Sequence, residues 1–327
     1  MKVLKLMLSA VILFFWVIPA GHAAEKVNVG YLHTLAVDGQ FWIAMEKGYF
    51  QEQGLEINPV VFTSGVPLMQ ALAGGSVDVA IMGAVISNFP AQGVGKIFLL
   101  NDIEYDTARL FARPDSGVKT IKDLKGKKVA TVKGTTAHVY LHNALLNNGL
   151  DSSKDIELVS MDMAGAVAAF ISGAVPAVCT WVPFNVLIRE KVPGALQIGS
   201  AKDYYPNSAI MGGWVAANKY HETRKDVLKK IIVAWAKAND YLVSNPGEAL
   251  KLIHAKAYTN IPFSDIEEAW NSEKCETSKD WVKLYKDGTA AKWISQVQKV
   301  FVEIGSLSKV VDVNEYFDSS LYLETIK

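Results

Sequence analysis

The chain has 327 residues, half of them hydrophobic, and its 33 Lys and Arg residues balance its 33 Asp and Glu residues. This length can bury a sizeable core and suggests two domains of roughly 100–200 residues each. A neutral chain without a basic run argues against a nucleic-acid partner. The two cysteines, Cys179 and Cys275, show neither a disulfide framework nor a metal-ligand spacing. They are expected to be either buried free thiols or, if the protein is exported, a disulfide.

The first 23 residues predict a secretory signal peptide. Lys2 and Lys5 precede the apolar run LMLSAVILFFWVIPA, and small residues ending at Ala23 form the expected cleavage site, with Ala24 as the alternative. A membrane anchor is the competing interpretation, but the apolar run is shorter than the ~20 residues of a spanning helix. We therefore expect an exported, soluble and periplasmic mature protein.

Strand and helix patterns alternate after the signal peptide. Strand-like runs such as Val27–Leu32 and Leu55–Phe62 are separated by stretches with helical periodicity, and from about Arg109 the same alternation begins again. This order predicts mostly parallel sheets covered by helices, in two similar α/β lobes. A long amphipathic helix follows over residues 223–245, and the rest of the chain is predicted to be a helical tail. Two such lobes predict a ligand cleft between them, at the carboxyl ends of the strands.

Four predicted strand-to-helix turns carry small or hydroxyl residues. Each one is simply explained as a helix N-cap worth ~1 kcal/mol. Together they would converge on one cleft and offer unpaired N–H groups to an anion. The phosphate-loop pattern is absent from the sequence, so a phosphate-transfer enzyme is not indicated. The candidate ligand-binding residues in these turns are His33, Thr34, Ser64, Gly65, Gly83, Ala84, Thr135 and Thr136.

Two further residues join this predicted site. His138, in the first turn of the helix after Thr135, either faces the ligand or caps the turn; it also forms an i, i+4 pair with His142, but without the glutamate of the HExxH zinc motif. Trp181 ends a late strand and either walls the cleft or packs in the core. The sequence has no G-x-S-x-G elbow and no recognisable nucleophile context for a cysteine. We therefore expect no catalytic residues, no metal site and no enzyme activity.

Four stretches of the chain resemble a known family. They are GYFQEQGLEI, SGVPLMQALAGGSVDVAIMGA, DLKGKKVATVKGTTAH and AAFISGAVPAVCTWVPF. The resemblance is to periplasmic substrate-binding proteins of ABC importers, of the nitrate/sulfonate/taurine type. It implies a two-lobed periplasmic binding protein fold of type II, in which hinge-linked lobes close on a small solute. It also implies a monomer without a cofactor, whose partners are an inner-membrane ABC permease and its ATPase.

The resemblance also implies domain boundaries and positions for the site. The first lobe would comprise residues 24–109 and 214–327, and the second lobe residues 110–213. His33 and Thr34 match the family's first ligand loop, Ser64 and Gly65 its second helix terminus, and Gly83 and Ala84 its third. Thr135 and Thr136 match the anion cradle of the opposing lobe, and Trp181 matches the aromatic residue after a late strand.

The resemblance leaves the solute open. Taurine or an alkanesulfonate is the first expectation, but Val175-Pro176 and Val182 depart from what relatives commonly carry. A taurine site also needs a carboxylate for the ammonium group, and Asp106 enters the predicted site as one of four candidates. The alternative solute is a thiamine-pyrimidine precursor or another aromatic, nitrogenous compound, and an enzyme on the same fold is a more distant alternative. The other carboxylate candidates are Asp38, Glu104 and Asp203, and the aromatic residues that could stack a ring are Tyr31, Trp42, Tyr105 and Trp181.

Overall fold

The structure, a computed structural model, describes residues 24–327. The predicted signal peptide, residues 1–23, lies outside these described residues. From Glu25 onward the chain alternates strands with helices, as the sequence pattern predicts. The strands are β1 (Glu25–Leu32), β2 (Leu55–Phe62), β3 (Val79–Met82), β4 (Lys96–Ile103), β5 (Ala108–Ala112), β6 (Lys128–Thr131), β7 (Glu157–Ser160), β8 (Ala177–Trp181), β9 (Leu196–Ser200) and β10 (Met211–Ala216).

The helices cover the sheets and form most of the last third of the chain. Among the described residues, no helix combines the length and apolar character needed to cross a membrane. The helices are α1 (Leu35–Glu46), α2 (Tyr49–Glu52), α3 (Gly65–Ala73), α4 (Thr136–Asn147), α5 (Met163–Ser172), α6 (Phe184–Lys191), α7 (Asn218–Thr223), α8 (Lys225–Ser244), α9 (Pro246–Lys256), α10 (Phe263–Ser272), α11 (Ser278–Lys286), α12 (Thr289–Glu303) and α13 (Ser319–Thr325).

The strands form two five-stranded sheets, in the orders β2-β1-β3-β10-β4 and β7-β6-β8-β5-β9. In the first sheet β1 runs parallel to β2 and β3, whereas β10 is antiparallel to β3 and β4. In the second sheet β6 runs parallel to β7 and β8, whereas β5 is antiparallel to β8 and β9. The predicted two-sheet α/β fold is confirmed, but each sheet is mixed. The antiparallel strands β5 and β10 are the first that the chain adds after it changes sheets, so no crossover helix sets their direction.

Local sequence explains how the helices lie against the sheets. Gly30 in β1 has no side chain, and an ideal Cβ there would lie 2.3 Å from Leu68 Cδ1, so the glycine lets α3 approach the strand closely. Strand β4 is buried from Ile97 to Ile103, as expected for a strand covered on both faces. Helix α8 buries a stripe that includes Ile231 and Trp235, and it packs on α1 and α13. The helical tail therefore belongs to the core around the first sheet.

Two segments connect the sheets. The chain leaves the first sheet after Ile103 and enters the second at Ala108; it returns between Ser200 and Met211. The backbone N–H of Glu104 donates to the carbonyl of Ile210 at 2.8 Å, so the two connections are bonded to each other. The segment between α10 and α11 lies alongside, because Ile103 and Lys274 exchange two backbone hydrogen bonds of 3.0 Å. The carboxyl end of β4 thus lies at the junction of the two sheets.

Both cysteines are free thiols in the structure. Cys179 lies in β8 of the second sheet, and Cys275 follows α10. Burial raises the pKa of both thiols, so neither presents a thiolate. The sequence left open whether the two cysteines are free thiols or a disulfide, and in the structure they are free thiols.

Candidate functional site

Three helices that follow strands have a hydroxyl residue at the N-cap position that does not cap the helix. The N-cap residues of α1, α3 and α4 are Thr34, Ser64 and Thr135, and in none of them does the hydroxyl accept from a first-turn N–H. The Thr135 hydroxyl instead donates to the carbonyl of Val132 at 2.8 Å. By contrast, Thr277 caps α11 by accepting from the Asp280 N–H at 3.2 Å. The three uncapped termini leave N–H groups available to an anion.

The residues around Glu104 link the two sheets. Glu104 directly follows β4, and its Oε1 accepts from the hydroxyl of Thr136, in the first turn of α4, at 3.0 Å. The hydroxyl of Thr107 donates to Oε2 of the same carboxyl at 3.3 Å. The backbone N–H of Ala84, directly after β3, donates to Thr136 Oγ1 at 3.3 Å. Three predicted site residues, Gly83, Ala84 and Thr136, therefore meet at one buried carboxyl group.

Two glycines make room for the carboxyl groups at this junction. An ideal Cβ on Gly83 would lie 2.3 Å from Glu104 Oε1 and 3.0 Å from Thr136 Oγ1. One on Gly212 would lie 2.3 Å from Asp102 Oδ1. Any larger residue would therefore collide with a carboxyl oxygen. Gly65, the first residue of α3, instead makes room for an apolar side chain, since a Cβ there would lie 2.8 Å from Cγ2 of Val85.

Burial governs the charge of these carboxyl groups. Burial is the main cause that raises the pKa of Glu104 to about 8, and the charge of the nearby Asp102 is the second cause. Burial also raises the pKa of Asp102 to about 6 and that of Glu273 well above its usual range. The Asp102 and Glu273 carboxyl groups face each other, and they form a hydrogen bond only if one of them holds a proton. This part of the site is therefore partly protonated at neutral pH.

Both ring nitrogens of His33 are already hydrogen-bonded, so the side chain has no free donor for a ligand. Its Nδ1 lies 2.8 Å from Asp38 Oδ2 and its Nε2 lies 3.1 Å from the carbonyl of Ala257. Asp38 also accepts hydrogen bonds from Tyr258 and Trp42. With acceptors at both ring nitrogens, the geometry fits a doubly protonated imidazole, and the bond to Asp38 raises the pKa of His33. The ring stacks on Tyr258 with centroids 4.2 Å apart.

His138 has the opposite protonation. It is buried in α4, and its Nδ1 accepts from the N–H of Gly134 at 3.1 Å. Burial lowers its pKa to about 4, with smaller contributions from His142 and Lys133, so the ring is neutral at physiological pH. Gly134 has φ +76°, the left-handed conformation that glycine adopts readily. The sequence left two roles open for His138, facing the ligand or capping the turn. In the structure its Nδ1 caps the turn at Gly134, directly before α4.

Trp181 lies beside the Glu104 junction. It ends β8 opposite Ala108, and the next residue, Val182, donates its N–H to the carbonyl of Thr107 at 3.0 Å. The indole is half-buried and packs edge-to-face with Phe184, with ring centroids 6.2 Å apart. The ring is therefore placed next to the residue whose hydroxyl binds Glu104.

Asp106 lies near this junction but is already paired. Its Oδ2 is 3.3 Å from Nη2 of Arg109 and 3.4 Å from Nζ of Lys202. Asp203, another candidate from the sequence, accepts from the N–H of Ser200 at 2.8 Å and so caps a helical turn. Of the four carboxylate candidates, Glu104 is the one held only by neutral donors where Gly83, Ala84 and Thr136 meet.

A salt bridge joins helices of the two sheets. Glu268 in α10, which packs with the first sheet's helices, accepts from Arg109 Nη1 and Asn185 Nδ2 at 2.6 Å each. Arg189 in α6 adds two hydrogen bonds of 2.9 and 2.5 Å. Burial alone would raise the pKa of Glu268, but the hydrogen bonds from Arg189 and Arg109 lower it to about 2. This network could not be predicted from the sequence, because its members lie far apart along the chain.

Solved structures with the same fold include periplasmic binding proteins. The chain superimposes on the periplasmic aliphatic sulphonate binding protein SsuA from Escherichia coli with a TM-score of 0.70, at 22% identity over 89% of this chain and 91% of that one. For the alkanesulfonate-binding protein SsuA from Xanthomonas axonopodis pv. citri bound to MOPS the TM-score is 0.72, at 20% identity over 91% and 100%. The desulfurization enzyme DSZB also shares the fold, with a TM-score of 0.66 at 14% identity over 92% and 98%. The fold is that of periplasmic binding proteins, and it accommodates enzymes as well.

Sequence comparison assigns the family. Residues 39–249 match the family model described as NMT1/THI5 like, and the chain belongs to this family. It is also 31% identical over 291 residues to a provisionally named binding protein of Brucella abortus (strain 2308), covering 89% of each chain. Relatives of this chain are thus sulfonate-binding proteins and provisionally named binding proteins, in line with the expected resemblance to ABC importer components.

The raised pKa of Glu104 predicts a pH-dependent stability. An unfolded glutamate titrates near ~4.3, whereas folded Glu104 titrates at about 8. Between these values the folded protein holds a proton that the unfolded chain lacks, so the free energy of unfolding falls as pH rises. Glu104→Gln should flatten this fall by up to ~1.4 kcal/mol per pH unit, as measured by urea denaturation from pH 5 to 8. Asp102 and Glu273 would maintain a residual slope in the variant.

The exposed Glu157 provides the matched control, because Glu157→Gln makes the same chemical change in a side chain that stays in solvent. Its slope should equal that of the wild type. Equal slopes in the wild type and Glu104→Gln would contradict the assignment of a buried, protonated Glu104.

The Glu268 network predicts a looser connection between the two sheets when its charge is removed. Glu268→Gln would weaken hydrogen bonds to two guanidinium groups, and a loss of about 1–3 kcal/mol in unfolding free energy is expected. Solution scattering should show a larger radius of gyration than that of the wild type. Glu267→Gln, at an exposed neighbouring position of α10, is the control and should change neither quantity. An unchanged radius in Glu268→Gln would show that the network does not hold the two sheets together.

Proposed function

We propose that this chain is the solute-binding component of an ABC importer and that it captures a small anionic or zwitterionic solute. The observation that carries the proposal is the set of uncapped N-termini of α1, α3 and α4, each beginning with a hydroxyl residue. A helix N-terminus stabilises an anion through its free N–H groups and its dipole. Taurine or an alkanesulfonate is the first candidate solute, and the sulfonate-binding neighbours of similar fold support that choice.

Capture is proposed to occur by closure of two lobes. The proposed lobes comprise residues 24–109 with 214–327 and residues 110–213. Each is built around one sheet, except that Ala108 and Arg109 belong to the second sheet and residues 211–213 to the first. The bond from Ala84 to Thr136 and the bond from Thr136 to Glu104 join groups from both sheets. A solute that replaces these bonds with its own would favour the closed arrangement, because it can bind both sheets only when they are close.

A solute-binding protein of an ABC importer would deliver its solute to a membrane complex. The proposed partners are an inner-membrane ABC permease and its ATPase, and the proposed location is the periplasm. A monomer without a cofactor or metal meets these requirements. Support comes from the binding-protein relatives and from the signal-like sequence of residues 1–23.

A nitrogenous aromatic solute, such as a thiamine-pyrimidine precursor, is the second candidate. A protonated Glu104 can both donate to and accept from an aminopyrimidine edge. Trp181 beside Thr107 and the cluster of Tyr31 with Trp42, whose ring centroids lie 5.8 Å apart, could pack on a ring. Enzyme activity is less supported, because both thiols are buried with raised pKa and offer no nucleophile.

Thr136→Val tests the anion site. The change removes the hydroxyl that bridges Ala84 and Glu104 while nearly preserving side-chain volume. Losing a hydrogen bond to a charged solute costs about 1.5–3 kcal/mol, which is roughly 10- to 150-fold in Kd. Calorimetric titration with taurine and with alkanesulfonates should show that weakening. Wild-type affinity in the folded variant would mean that the turn does not bind solute.

Thr277→Val is the matched control for this experiment. It makes the same substitution at a helix N-cap whose hydroxyl does cap its helix. Loss of that cap should lower the unfolding free energy by ~1 kcal/mol and leave affinity unchanged. A separation of effects between the two variants distinguishes solute binding from capping.

The location is tested by N-terminal sequencing. The mature protein should begin at Ala24 or Glu25 and should be recovered in the periplasmic fraction. Recovery of a chain with Met1 intact from the cytoplasm would refute the export part of the proposal.

A further inference from the structure

Three carboxyl groups lie together at the sheet junction without a cation. Asp102 lies in β4 and Glu104 directly follows the strand, and their carboxyl groups are close enough for the charge of Asp102 to raise the pKa of Glu104. Glu273 approaches from the segment after α10 and faces Asp102. Within residues 24–327, no Lys, Arg or His side chain bonds to any of the three. Three buried negative charges without a counter-ion would be strongly unfavourable.

This cluster contains acceptor atoms that nothing in the described chain satisfies. Asp102 is fully buried, and its Oδ2 has no hydrogen-bond donor among the described residues; the same holds for both oxygens of Glu273. Buried acceptors in folded proteins are nearly always paired. The cluster therefore calls for protons, a cation or both.

Glu104 is the member of the cluster that reaches the proposed solute site. Its carboxyl contacts the hydroxyl of Thr136 at the start of α4 and lies against Gly83. The carboxyl groups of Asp102 and Glu273 satisfy each other if they share a proton. Glu104 instead has two hydroxyl donors and no charged partner. A ligand cation would therefore act as the counter-ion of its carboxylate.

The other titratable groups nearby do not act as a counter-ion for Glu104. Cys275 follows Glu273, and burial keeps its thiol protonated. His138 on α4 is neutral. The ammonium of Lys274 is directed toward the ring of Tyr205, 5.2 Å from its centroid, and toward Glu276 at 3.6 Å. None of these groups supplies a positive charge to Glu104.

We infer that the solute carries a protonated nitrogen that binds the Glu104 carboxylate, and that Glu104 releases its own proton to solvent as the solute binds. The inference rests on the proposed function. It narrows the solute class to protonated amines, whose N–H groups donate to a carboxylate. The step is balanced: the carboxylic acid and the ammonium solute give an ion pair, and one proton passes to the buffer. A plain alkanesulfonate could use the helix N-termini but would leave Glu104 protonated and its subsite empty.

Matched pairs of compounds that differ in the nitrogen test this inference. Taurine is compared with propane-1-sulfonate, and 5-(aminomethyl)pyrimidine, which carries a basic aliphatic amine, with 5-methylpyrimidine, by calorimetric titration of the full mature chain at pH 6, 7 and 8. Wild-type protein should prefer the amine of at least one pair by tenfold or more. Affinity for that amine should rise by up to tenfold per pH unit. Titrations in buffers of different ionisation enthalpy should show release of close to one proton at pH 6, and less at pH 8.

Glu104→Gln supplies the decisive variant, because the amide keeps the size of the side chain but cannot ionise. It should lose the preference for the amine and the proton release, while Glu157→Gln at an exposed site should keep both. A variant that fails to fold is replaced by Glu104→Asp, which should retain proton release with weaker affinity.

The outcomes separate the inference from the function on which it rests. If neither amine binds more tightly than its partner compound, or if binding releases no proton at any pH, the inference is wrong and the solute-binding function stands. If no member of either pair binds, the proposed sulfonate and pyrimidine functions fail, and the inference fails with them.

Discussion

A buried carboxyl group at the junction of two sheets is the constraint on which the arrangement depends. Glu104 has to be either protonated or paired with a cation, because burial of an isolated carboxylate is strongly unfavourable. The hydroxyls of Thr136 and Thr107 provide hydrogen bonds but no charge. Gly83 and Gly212 provide the space that Glu104 and Asp102 occupy. These residues come from both sheets, so the same contacts that position the carboxyl also join the two sheets.

The first turn of α4 and the Glu104 junction bring two kinds of electrostatic environment into contact. The uncapped N-terminus of α4 favours negative charge. The carboxyl groups of Asp102, Glu104 and Glu273 favour positive charge or protons. Such a bipolar arrangement suits a zwitterion more than a simple anion. The shared fold alone would not decide this, since sulfonate-binding proteins and a desulfurization enzyme have it in common.

The alternation of strands and helices was predictable from the sequence, because apolar periodicity and glycine turns are local signals. The site was predictable only in part. The hydroxyl residues Thr135 and Thr277 look alike in sequence, yet only Thr277 caps its helix. Among the acids after β4, Asp106 is compensated by Arg109 and Lys202, whereas Glu104 is not. Those partners lie in other elements, so the sequence could not separate the two acids.

The central claim is that solute binds between the start of α4 and Glu104. A crystal structure of the mature protein with taurine tests it most directly. The account predicts the sulfonate on the first-turn N–H groups of α4 and the ammonium nitrogen within hydrogen-bond distance, about 2.7–3.2 Å, of a Glu104 carboxyl oxygen. Taurine bound elsewhere, with the bond from Thr136 to Glu104 still intact, would contradict it.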